Sequence, residues 1–166
     1  RSCLAFAGQK AVIQRVTSAQ VAVGGRVVSK IGNGTTAETY GAGLCVLVGI
    51  SRESSEVDAD YICRKILNLR LFEVACSSLT PPQDEKGRPW SHSVMQKQYE
   101  VLLISQFTLH VQIKGNKCDY HNSMAAEQSK PFYSKFVAQC KKEYQADKIH
   151  DGEFGAHMQV SLFLTM

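Results

Sequence analysis

The run Tyr99-Glu100-Val101-Leu102-Leu103-Ile104-Ser105-Gln106-Phe107-Thr108-Leu109 frames the reading of this 166-residue chain. Side chains alternate between the two faces of a strand. Val101, Leu103, Ser105, Phe107 and Leu109 therefore fall on one side, and Leu102, Ile104, Gln106 and Thr108 on the other. Apolar residues on both sides predict a central strand over Tyr99 to Leu109, covered on both faces. Leu44 to Ile50, Leu-Cys-Val-Leu-Val-Gly-Ile, predicts a second buried strand.

Outward from these two, Ser54 or Ser55 is placed to cap a helix whose first turn holds Glu56, Asp58 and Asp60, where the helix dipole favours acids. Val57, Tyr61, Ile62, Ile66 and Leu69 recur at helical spacing, so one face packs on the sheet and Arg64, Lys65 and Asn68 face outward. A second helix is predicted from Phe132, Tyr133, Phe136, Val137, Cys140 and Tyr144, with Pro131 in its first turn. Before Leu44, the segments Ala11 to Val16, Ala19 to Val23 and Arg26 to Ile31 form a β-meander, and Gly24-Gly25 supplies a tight turn. Gly32 to Gly43 reads as an exposed loop, Leu69 to Glu73 as a strand, Cys76 to Pro89 as a surface excursion and Phe154 to Leu164 as a final strand. Residues 1–10 are expected to be a frayed or extraneous extension, and residues 11–166 a single domain.

Hydrophobic residues make up 44% of the chain and charged residues 20%, which is globular usage, and the length suits one core. No apolar stretch approaches the roughly 20 residues of a membrane span, and Arg1 to Gly8 lacks the pattern of a secretory signal. The six cysteines include no C-x-x-C pair. Cys45 on a strand, and Cys63 and Cys140 on helices, read as buried reduced thiols, which points to the cytoplasm. Nineteen Lys and Arg against 15 Asp and Glu give a net charge of +4, a weak pointer to a polyanionic partner.

The motifs with ready answers are missing: phosphate-binding glycine loops, H-E-x-x-H and G-x-S-x-G. His92, His110, His121, His150 and His157 are scattered, and none pairs with a Cys or carboxylate as a metal site requires, so no metal is expected. One feature is odd. Ser105, Gln106 and Thr108 bring polar side chains into an apolar strand, where they need either local hydrogen bonds or a substrate.

Four blocks resemble, in order, the D-aminoacyl-tRNA deacylase (D-tyrosyl-tRNA deacylase) family. They are Ala11-Val12-Ile13-Gln14-Arg15-Val16, the passage Arg64 to Glu73, the pentapeptide Ser105 to Leu109, and the stretch Phe154 to Leu162. The resemblance implies an α/β fold: a single three-layer domain with mixed and antiparallel β-sheets and two main helices. It implies a homodimer with active sites at the subunit interface, an aminoacyl ester on the 3′ end of tRNA as substrate, no cofactor, and no DNA or membrane partner. The activity implied is hydrolysis of D-aminoacyl-tRNA, and of mischarged glycyl-tRNA, in the chiral proofreading of translation. Carried onto this sequence, the catalytic motif is Ser105, Gln106, Phe107 and Thr108, followed by Leu109. Arg15 would support the site, and Phe154 and Met158 would line the adenosine pocket.

The chain departs from the family at one place. The resemblance implies an N-x-G-P-x-T motif after Val160-Ser161-Leu162, with a Gly-Pro pair that enters the partner's site, yet Leu162 is followed directly by Phe163-Leu164-Thr165. Real loss of the motif, divergence of the tail, and a missing segment at this junction are the three readings. The third is expected, with the Leu162 carbonyl carbon and the Phe163 nitrogen far beyond the roughly 1.33 Å of a peptide bond. A continuous chain there supports real loss.

An aminoacyl ester is already activated, so backbone N–H donors near Phe107 and Thr108 suffice to stabilise an oxyanion. Thr108 is either a nucleophile or a positioning group. No adjacent His, Asp or Glu suggests a base, so positioning is the expected role. A rigid backbone wall would reject the L enantiomer. The competing function is a non-catalytic RNA-binding or scaffold homologue, suggested by Lys114, Lys117, Lys141, Lys142 and Lys148 near aromatic residues.

Overall fold

A computed structural model describes residues 2–6, 8–32, 43–72 and 90–164. Its strands in chain order are β1 (Ser2–Phe6), β2 (Gln9–Val16), β3 (Ser18–Val23), β4 (Arg26–Ile31), β5 (Gly43–Ile50), β6 (Glu100–Ser105), β7 (Gln112–Lys114), β8 (Lys117–Asp119), β9 (Ile149–Asp151) and β10 (Met158–Phe163). The two long helices are α1 (Glu56–Asn68) and α2 (Ala126–Glu143).

A five-stranded sheet runs β1-β2-β5-β6-β9. Its first three strands are antiparallel, and β5, β6 and β9 are parallel. The second sheet, β10-β3-β4, is antiparallel, and β7-β8 is a separate hairpin. Two clusters of buried side chains explain why β5 and β6 are apolar on both faces. Ile13, Val46, Val101 and Leu103 pack with Ile62, Ile66, Phe136 and Val137 of the helices. Cys45, Leu102 and Ile104 pack with Val16, Val21 and Ile31 beneath the second sheet. The layers are therefore helices, mixed sheet and antiparallel sheet, the α/β architecture expected from the sequence.

α1 begins as the sequence indicates. The Ser55 hydroxyl accepts from the Asp58 N–H at 3.3 Å, and the Asp58 carboxylate accepts from the Ser55 N–H at 2.8 Å, a reciprocal capping box.

Several elements differ from expectation. Residues 2–6, expected to fray, form an edge strand antiparallel to β2, because Leu4 packs against the larger core cluster. α2 starts at Ala126, five residues before Pro131, which lies inside the helix. Glu127 and Pro131 are both exposed, so solvent can take the Glu127 carbonyl that a proline cannot serve. The Leu69 to Glu73 segment makes only an isolated bridge, Phe72 to His92, among its described residues. The loop at residues 33–42 and the excursion at 76–89 lie outside the described residues.

The expected break after Leu162 is not found. β10 passes without interruption through Leu162 and Phe163, which pair with Ala19 and Ser18, and the Thr17 N–H donates to the Phe163 carbonyl at 2.9 Å. No cis peptide bond occurs among the described residues.

Candidate active site

The predicted long strand Tyr99 to Leu109 ends at Ser105, and the rest of the run winds into a 3-10 turn, Phe107–His110. Ser105 is in parallel register with Val48, and the Gln106 N–H makes the last strand-like bond, 2.7 Å to the Val48 carbonyl. The next β5 residue is Gly49. A Cβ there would stand 2.8 Å from Leu109 Cβ, 3.1 Å from His110 Cδ2 and 3.3 Å from the Gln106 carbonyl oxygen. The turn crosses β5 where a side chain is absent, and this close approach is the reason for glycine.

Three contacts hold the turn. Lys10, opposite Gly49 in β2, donates from Nζ to the Leu109 carbonyl at 3.1 Å. The Ser123 hydroxyl donates to the Phe107 carbonyl at 2.9 Å, and the Phe107 ring meets Tyr120 edge-on at 5.3 Å. Within the turn, Gln106 Nε2 lies 2.5 Å from Thr108 Oγ1. The Leu109 N–H closes the first 3-10 bond to the Gln106 carbonyl, while the Phe107 and Thr108 N–H groups take no acceptor among the described residues.

Beside the turn lies a cavity of about 850 Å³. Its floor is Val12 and Gln14 of β2, Cys45 and Leu47 of β5, and Ile104 and Ser105 of β6. Gln106, Phe107 and Phe154 rim it, and Met158, Val160 and Leu162 of β10 form the opposite wall. The lining is chiefly apolar with a few polar groups, as small-molecule sites are. Burial pushes the Cys45 thiol up to about 12, so it is no nucleophile at neutral pH. No cluster of three or more His, Cys, Asp or Glu able to hold a metal ion occurs among the described residues.

Of the residues singled out in the sequence, Ser105, Gln106, Phe107, Phe154 and Met158 meet at this cavity. Thr108 stands behind the rim on Gln106, and Leu109 packs over Gly49. Arg15 is elsewhere: its side chain leaves β2 on the opposite face from Gln14. There Nη1 donates to the Leu71 carbonyl at 3.0 Å, and the guanidinium lies 5.5 Å from the Trp90 ring centre. The segment is not sealed in a monomer core, since Phe107 is 59% exposed.

The sequence reading missed Val12, Gln14 and Leu47, although alternation along β2 places Val12 and Gln14 opposite Arg15. It also gave His110 no role. Among the basic residues, Lys114 is bonded to Asp119 at 2.6 Å, and His121 Nδ1 meets the same carboxylate at 2.6 Å. The Lys114 hydrogen bond first, and then those of His121, hold the Asp119 carboxyl well below the usual carboxylate range.

A family model described as D-Tyr-tRNA(Tyr) deacylase matches residues 12–164. The chain is 49% identical over 153 residues to D-aminoacyl-tRNA deacylase 1 of Mus musculus, covering 92% of this chain and 64% of that relative. It therefore spans somewhat less than two thirds of that relative's length. It is 46% identical over 153 residues to D-aminoacyl-tRNA deacylase of Dictyostelium discoideum, covering 92% and 89% of the two chains. Among solved structures, one named c-Myc DNA Unwinding Element Binding Protein superposes with a TM-score of 0.77 at 47% identity, covering 93% of this chain and 91% of that one.

Proposed function

Because this chain belongs to the D-Tyr-tRNA(Tyr) deacylase family, we propose that it is a hydrolase cleaving the ester between a D-amino acid, or mischarged glycine, and the 3′ end of tRNA. The observation that carries the reading is the cavity of about 850 Å³ lined by Ser105, Gln106 and Phe107. It is large enough for an aminoacyl-adenosine end. The Phe107 and Thr108 amides of the adjoining turn take no acceptor among the described residues. An oxyanion formed as water attacks the ester carbonyl would take these donors, each worth on the order of 10² to 10³ in rate. Arg15 acts indirectly in this reading, by anchoring β2 to the Leu71 carbonyl.

A homodimer belongs to the same proposal. Val160, Leu162, Phe163 and Leu164 are exposed hydrophobics at or beside the cavity's β10 wall, and an apolar patch of this kind suits a second copy. The reduced thiols favour a cytoplasmic setting. Among the described residues, no helix is long and apolar enough to cross a membrane.

The test is turnover of matched D-Tyr-tRNA and L-Tyr-tRNA by the protein at catalytic concentration, with its mass in solution measured alongside. Fast release from the D ester and survival of the L ester are expected. Binding of both without turnover would establish a non-catalytic homologue. Equal cleavage of both would show a hydrolase without chiral selection.

A further inference from the structure

His110 ends the 3-10 turn and takes no part in the chemistry above. Its side chain is buried, 7% exposed, and Nε2 has no hydrogen-bond partner among the described residues. A buried, unpartnered ring nitrogen is tolerable while it is an acceptor. A proton there adds both an unpaired donor and a charge, and each is more costly.

The surroundings give that charge little help. From β5, the ring meets Gly49, whose backbone lies within hydrogen-bonding reach and favours the protonated form. From β2, Lys10 brings a positive charge, and its Nζ is already directed to the Leu109 carbonyl of the same turn. No carboxylate acts on the ring among the described residues. Burial above all holds the imidazole below its ordinary 6.5; the Gly49 backbone opposes the shift and Lys10 adds to it.

The turn has little room to absorb a movement of this ring. His110 Cδ2, Leu109 Cβ and the Gln106 carbonyl all lie against Gly49, a position of β5 without a side chain. Gln106 and Phe107 at the other end of the same turn rim the cavity. We propose that His110 is a positioning residue: neutral, it seats the turn on Gly49 and aims the Phe107 and Thr108 amides at the cavity; protonated, it leaves that seat and the turn loosens. Acid then turns the site down through geometry rather than through loss of a base. The kinetic part rests on the hydrolase reading above, whereas the movement of the turn does not.

The test compares kcat for D-Tyr-tRNA hydrolysis between pH 5 and 8 in the parent and in His110→Gln, which keeps an amide donor near Gly49 but takes up no proton. The ratio of the two profiles removes the titration of the substrate's own amine. Parent over variant is expected to be constant above pH 7 and to fall about tenfold per pH unit once the imidazole is protonated. A ratio constant over the whole range overturns the proposal. In the parent, the backbone amide NMR signals of Phe107 and Thr108 are expected to shift with the midpoint of the His110 ring signals. A ring that titrates while those amides stand still also overturns it. If the parent cleaves no D-aminoacyl ester at any pH, the hydrolase reading fails, and the NMR titration alone decides on His110.

Discussion

The Gln106 side-chain nitrogen stands 2.5 Å from the Thr108 hydroxyl oxygen. The amide donates, so the hydroxyl oxygen is engaged as an acceptor, and its proton is left to point elsewhere. A nucleophilic hydroxyl needs the reverse, a partner that removes its proton, and no carboxylate or imidazole bonds to Thr108 among the described residues.

Thr108→Ala is accordingly expected to slow single-turnover hydrolysis of D-Tyr-tRNA by about 10- to 100-fold and to leave measurable turnover. Mass spectrometry of the acid-quenched parent should show no acyl-enzyme. A trapped adduct on Thr108, with activity abolished in the variant, contradicts the positioning role.

Gly49→Ala places a methyl 2.8 Å from Leu109 Cβ and 3.3 Å from the Gln106 carbonyl. The turn must lift from β5, and overpacking of this kind costs about 1 to 3 kcal/mol. Thermal denaturation should show a lowered Tm, and the drop in kcat should exceed any change in KM. An unchanged Tm with full activity would mean that the turn is free to move.

Tyr133 is 3% exposed, and its hydroxyl has no partner among the described residues. Burial, chiefly, raises its ionisation far above the ordinary phenol range, so it stays neutral at any working pH. Tyr133→Phe removes an unsatisfied polar atom and leaves the ring packed against Phe154 at 5.7 Å. Urea unfolding should report a change between zero and about 1 kcal/mol in favour of the variant; a clear loss of stability would reveal a bond to that oxygen.

Cys63 and Cys140 face each other across α1 and α2, with their sulfurs 3.2 Å apart and both buried. The hydrogen bond that Cys140 donates to Cys63 first, and then burial, push the Cys140 thiol far up, and thiolate is the reactive form. Iodoacetamide at pH 8 should label exposed Cys3 and Cys118 in the native protein and reach Cys45, Cys63 and Cys140 only after unfolding, as read by peptide mass mapping.

The layers were legible in the sequence because β5 and β6 are apolar on both faces and α1 carries its own cap. The turn at Phe107–His110 was not. Ser-Gln-Phe-Thr-Leu alternates as a strand does, and the bend comes from a residue distant in sequence, Gly49, which leaves a gap in the neighbouring strand. The start of α2 was obscured by a proline that is tolerated because it faces solvent. The β7-β8 hairpin went unread although Gly115 takes a positive φ of 61° between Lys114 and Lys117. At the cavity, local pattern marked Ser105, Gln106 and Thr108, the family resemblance added Phe107 and Arg15, and neither pointed to Gln14, which lines it. A run of six residues names a strand, and only its partners say which of its faces is the useful one.

The lining of the cavity comes from residues such as Val12, Leu47, Ile104 and Met158, which are spread over nearly the whole chain. During synthesis at the ribosome, the early meander emerges long before β10, which must return to pair with β3. Until then, the Val21 side of the early strands lacks its final neighbour, and no vessel exists for a ligand to fill. A ligand therefore cannot assist the nascent chain before β10 has paired, whereas it stabilises the completed fold by binding it.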